Sequence, residues 1–207
     1  MQKIFSHWSS SPKATPLLNG NFMVERFMVD PSEAEILNRS FEENCPFPLS
    51  KVAPGQYTKL TYYGAAIQVD LVPMMEMVAG FVEAAHGDVL VTGLGLGLMG
   101  PMLVQNPNVK TITFMEYEPA ITKLVEPRMQ GDKPITVIFG DARQALQVPV
   151  FYDCVFHDLW QTFQTHAFKT LGPRLIKTWA PYVRDIHAIW GGELIGLPGG
   201  MRKEGAR

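Results

Sequence analysis

The sequence predicts an α/β protein built on a mostly parallel sheet with helices on both faces. Three observations predict it. Apolar runs of strand length alternate with helical segments through the centre of the chain. A glycine bend, Gly93-Leu94-Gly95-Leu96-Gly97, directly follows one such run, Val89-Leu90-Val91. An acid, Glu116, stands about 20 residues further on, at the end of the next run, Thr111 to Met115.

Each element has its own local reason. Residues 1 to about 28 mix Ser and Pro with no clear period and read as a loosely packed arm. Asp30-Pro31-Ser32-Glu33 is a helix start, with an acid at the cap and Pro at the first helical position. That helix is expected to end near Asn44, before Pro46 and Pro48. Two β-rich runs between Tyr57 and Leu71 flank Tyr63-Gly64 and predict a hairpin. Met74, Met77, Val78, Phe81 and Val82 have helical spacing, and Gly87 follows as a stop. Beyond the glycine bend come a short helix to Gln105, the strand ending at Met115, and a helix from Pro119 to about Met129. Ile135 to Phe139 is a strand, Ala142 to Leu146 a short helix, and Cys154 to Phe156 a fourth strand. Ile186 to Trp190 and Glu193 to Leu197 read equally as an abbreviated strand pair or as helix and tail. The C-terminal part of the sheet is thus open to being reduced. The expected division is residues 1–72, with helix and hairpin, and residues 73–207, a ligand-binding α/β unit.

Composition narrows the function. A chain of 207 residues with 46% hydrophobic residues can bury a real core. The formal charge of -2 gives no global case for nucleic acid. Two cysteines, Cys45 and Cys154, make neither a disulfide framework nor a zinc site. No apolar stretch reaches the roughly 18 residues of a membrane span, and the first residues lack a signal-peptide core. A cytoplasmic enzyme acting on a small molecule is the expectation.

The candidate site collects at the strand ends. Gly93, Gly95 and Gly97 remove side chains that would collide with a nucleotide. Gly95, Gly97 and Gly100 also fit a dinucleotide pattern, so the bend alone does not choose the cofactor. Glu116 is placed to accept hydrogen bonds from two ribose hydroxyls, and Glu118 is placed to share that task. Asp141 can accept from an adenine amine or cap a helix. Asp158 follows the fourth strand, at the edge where ligands of open α/β sheets bind. Asp153 reads as a turn residue and His157 as a structural histidine facing away from Asp158. Trp160 suits either an adenine stack or the core.

The order Gly93 to Gly97, Met115-Glu116-Tyr117-Glu118-Pro119, Gly140-Asp141-Ala142-Arg143 and Tyr152 to Trp160 resembles class I S-adenosylmethionine-dependent methyltransferases. Within them it is most similar to the spermidine synthase-like branch, over about residues 55 to 165. The resemblance implies a Rossmann-like fold and S-adenosylmethionine as cofactor. It implies contacts from Gln68, the three glycines, Glu116, Asp141 with Ala142 at the adenine, and Asp158. Aminopropyltransferases of that branch have a second acid after the strand-four aspartate, whereas this chain has Leu159-Trp160-Gln161-Thr162. A polyamine would lack that counter-charge, so methyl transfer is favoured. Asp158 is then the residue that orients the acceptor or takes its proton, with Tyr62, Tyr63 and Trp160 as weaker pocket candidates. Aminopropyl transfer, cofactor binding without catalysis and NAD-dependent oxidoreduction are the alternatives. A homodimer is a further expectation.

Overall fold

The computed structural model describes residues 17–45, 48–129, 131–144, 150–159, 165–192 and 201–202. It has two sheets. The larger contains five parallel strands: β5 (Gly87–Thr92), β6 (Val109–Glu116), β7 (Ile135–Phe139), β8 (Tyr152–His157) and β9 (Val183–Ile189). Their spatial order is β9-β8-β5-β6-β7, and Met201–Arg202, β10, pairs antiparallel with β9. This is a Rossmann-like α/β layout in which the order of strand addition reverses between β5 and β8. In such sheets the crevice lies at the carboxyl ends of the two strands flanking that reversal.

Both faces of this sheet are covered, which is why its central strands are apolar runs rather than alternating ones. On β5, Val89 and Val91 face one core and Leu90 the other, and all three are buried. The first core packs α2 (Val72–Ala84), α3 (Met99–Gln105) and α4 (Pro119–Val125) against the sheet. The second packs α5 (Thr165–Trp179) through Leu175 and Trp179. Each large aliphatic side chain so buried stabilises the fold by about 1.5–3 kcal/mol.

The smaller sheet is antiparallel in the order β1 (Leu17–Asn19), β2 (Phe22–Val29), β3 (Gly55–Tyr62) and β4 (Ala65–Val69). Residues 17–29 are therefore a paired hairpin and not the loose arm expected of them. Their alternation is blurred because this sheet, too, is covered on both sides. Phe22, Val24 and Leu60 pack into the first core of the large sheet. Phe27, Val29, Tyr57 and Val69 pack against α1 (Pro31–Asn44). Asp30 caps α1 through the Ser32 and Glu33 amides, as the sequence expects, and Glu33 also returns a bond to the Asp30 amide.

The β3–β4 turn is Tyr63-Gly64, with φ of 48° and 80°. Positive φ at both positions is the geometry that a tight two-residue hairpin requires. Of the helix expected over residues 142–146, residues 142–144 form a turn, with Asp141 bonding the Arg143 amide locally, and residues 145 and 146 lie outside the described residues. None of the helices described is long and apolar enough to cross a membrane.

Candidate functional site

The carboxyl ends of β5, β6 and β8 converge on the glycine bend. Gly93 has φ of 92°, and its amide donates to the Met115 carbonyl at 2.8 Å. A Cβ on Gly93 would lie 2.0 Å from the Asp158 carbonyl oxygen. Glycine is thus required there twice, for backbone conformation and for the approach of β8. The Asp158 amide bonds the Thr92 carbonyl at 2.8 Å, closing the bend from that side.

Glu116 is buried against the bend. Its Oε2 accepts from the Leu94 amide at 2.9 Å and its Oε1 from the Glu118 amide at 2.8 Å. Two carboxylate oxygens offer about four acceptor positions, so about two remain available. The Glu118 side chain turns elsewhere: its Oε1 accepts from the Ala120 amide at 3.1 Å and caps α4.

Gln68 arrives from the small sheet. It lies opposite Leu60 on β4, whose neighbour Tyr62 lies opposite Phe22, so the register puts all four on the face turned to the large sheet. Its Oε1 accepts from the Leu96 amide, and its Nε2 donates to Asp158 Oδ2 at 3.4 Å. A Cβ on Gly95 would lie 2.1 Å from Gln68 Oε1. The bare backbone at Gly95 is what admits the carboxamide.

Asp158 is partly buried, and desolvation and the Glu116 charge push its carboxyl up to about 7. Burial and a neighbouring negative charge both disfavour the ionised form of a carboxyl. Asp141 stands further along the rim, engaged by Arg143 through Nε at 2.8 Å and Nη2 at 2.7 Å. The Arg143 hydrogen bond holds the Asp141 carboxyl below its usual range. Ala142 is buried, and its carbonyl accepts from Trp179 Nε1 at 2.7 Å. Tyr62 and Tyr63 form an edge-to-face pair at 4.6 Å, exposed at the hairpin tip. Trp160 lies outside the described residues.

The geometry therefore joins Gly93, Gly95, Gly97, Glu116, Gln68 and Asp158 around one bend. Asp141 and Ala142 follow β7 just beyond Gly140, whose amide bonds the Glu116 carbonyl at 3.0 Å, and the tyrosines stand at the hairpin tip. Sequence reading missed the Leu94 and Leu96 amides, which no residue type advertises. It also missed a buried row behind the bend, in which Thr92 Oγ1 and His157 Nδ1 are 2.8 Å apart and His157 Nε2 and His187 Nε2 3.0 Å apart. His157 is held well below the usual imidazole range by burial and then by His187.

No family model matches the chain, and no curated protein is significantly similar to it. Several solved structures share its layout. A Staphylococcus aureus protein described as a caffeoyl-CoA O-methyltransferase is 12% identical with a TM-score of 0.45, over 80% of this chain and 69% of its own. The Pyrococcus abyssi tRNA (uracil-54, C5)-methyltransferase, solved with S-adenosyl-L-homocysteine, is 14% identical with a TM-score of 0.45, over 69% of this chain and 33% of its own. The magnesium protoporphyrin IX methyltransferase of Synechocystis is 16% identical with a TM-score of 0.41, over 55% and 52%. At these scores the likeness adds nothing to the strand order described above.

Proposed function

We propose that this protein is an S-adenosylmethionine-dependent methyltransferase acting on a small-molecule acceptor. The single observation behind this reading is the seating of Glu116. A buried carboxylate lies on the glycine bend with both oxygens fixed by backbone amides and acceptor positions to spare. That donor set suits the vicinal hydroxyls of a ribose. The cofactor supplies an electrophilic methyl on a sulfonium, so the protein's work is alignment and exclusion of water.

Residue roles follow from position. Gly93, Gly95 and Gly97 let the bend turn tightly at positive φ, with Asp158, Gln68 and Val125 packed where their side chains would stand. Glu116 grips the ribose, and Asp141 with Ala142 borders the adenine. Asp158, ionised above about pH 7, accepts a proton from an amine or hydroxyl acceptor. The motif order also supports a spermidine synthase-like branch, although nothing among the described residues favours aminopropyl transfer over methyl transfer.

Calorimetric titration with S-adenosylhomocysteine, beside NAD, tests the reading. S-adenosylhomocysteine is expected to bind, and Glu116→Gln to weaken it by about ten- to a hundredfold. Binding of NAD alone would overturn the assignment. An activity screen over small amines, hydroxyls and acids then identifies the acceptor.

A further inference from the structure

The polar groups at the bend come from distant parts of the chain, and one side chain touches two of them. Gln68 and Asp158 are 90 residues apart, and Gln68 and Leu96 are 28 apart. A carboxamide is the side-chain group that accepts at one end and donates at the other in a fixed plane. Glutamate at this position would offer acceptors at both ends, and leucine would offer nothing. We propose that Gln68 is the positioning residue of this site, holding Asp158 against the glycine bend through one carboxamide anchored on the Leu96 amide.

Three observations agree with this role. The small sheet's face is fixed by Val24 and Leu60, both buried in the large sheet's core, so Gln68 rests on a rigid strand. The Gly95 backbone has no room for a side chain beneath the carboxamide. Among the described residues Glu116 is the charged group that bears on Asp158. His157 on the same strand turns to the opposite face of the sheet, so a neutral donor from β4 is what opposes the Glu116 charge. A donor to an ionised carboxylate favours that form. The catalytic meaning of the bridge rests on the methyltransferase reading; the bridge itself does not.

The test needs no cofactor. Carbon-13 NMR titration of the Asp158 carboxyl, assigned with Asp158→Asn, is run on the unliganded wild type, Gln68→Leu and Gln68→Glu. Loss of the donor is expected to raise the Asp158 midpoint by at least about half a unit in Gln68→Leu, and by more in Gln68→Glu, where a third carboxylate is added. A midpoint that stays in place in both folded variants overturns the proposal. Calorimetry of the same proteins with S-adenosylhomocysteine separates the two ideas. A shifted midpoint in a protein whose wild type does not bind S-adenosylhomocysteine keeps the bridge and removes the cofactor reading.

Discussion

The two ends of the large sheet both gather polar side chains, and they treat them in opposite ways. At the amino end, Asp153 Oδ2 accepts from the Asp88 amide at 2.8 Å, and its Oδ1 pairs with Arg184 at 3.1 Å. Asp88 accepts from Thr111 at 2.7 Å, and His86 Nε2 meets Asp185 at 3.3 Å. Opposite charges and matched donors meet there. At the carboxyl end, Glu116 and Asp158 are like charges, joined to the rest by amides and a carboxamide alone. A paired network suits a structural role, whereas like charges held close mark a candidate functional site.

The amino end even contains a cysteine, histidine and aspartate in line. Cys154 Sγ is 3.6 Å from His86 Nδ1, and His86 continues to Asp185. Chemistry does not follow, because Cys154 is fully buried and desolvation lifts its thiol to about 11. The thiol also hydrogen-bonds the His86 carbonyl at 3.4 Å, as a small structural donor would. Geometry without a thiolate is not a nucleophile.

Substitutions at the two ends sharpen the contrast. Gly93→Ala should be the most damaging change, costing roughly 3–5 kcal/mol in urea denaturation, because φ of 92° and the Asp158 carbonyl both oppose a Cβ. Gly87→Ala at the amino end meets the Asp153 side chain, which can move, and should cost roughly half as much.

Asp158→Asn should lower turnover by about a hundredfold or more while changing S-adenosylhomocysteine affinity only a few-fold. Wild-type kcat/KM should climb as pH rises through about 7, and the variant should lack that limb. Stability runs the other way. The folded carboxyl titrates above its unfolded value, so the folded state holds the extra proton and loses stability as pH rises from about 4 to 7. The variant should therefore gain on the wild type in denaturation at pH 8, and the gap should close below pH 4.

Cys154→Ala should cost about 1–2 kcal/mol with turnover untouched, and the native thiol should resist iodoacetamide at pH 8. Arg184→Ala removes a surface ion pair and should cost less than about 1 kcal/mol. A large loss of turnover from either change would erase the distinction between the two ends.

Legibility in the sequence followed the same divide between local and distant causes. Ile135–Phe139 ran between the expected bounds, and Asp30 announced itself as a helix cap, because each depends on a few neighbouring residues. Glu116 was legible because strand, bend and acid have fixed spacing in a βαβ unit. Residues 17–29 were not legible, since a strand packed on both faces loses its period of two. The reading of Asp153 as a turn residue fell short because its partners, Asp88 and Arg184, come from other strands. The contact between His157 and His187 needs the parallel pairing of β8 with β9, which no local pattern encodes.

The order of synthesis has a consequence for the bend. The small sheet, β5 and β6 leave the ribosome well before β8, yet β8 lies directly beside β5. A nascent chain therefore carries the glycines and Glu116 while the wall formed by Asp158 is still missing. The bend gains its Asp158 wall only when β8 inserts, so under the proposed function nucleoside capture would report that the whole α/β unit has matured.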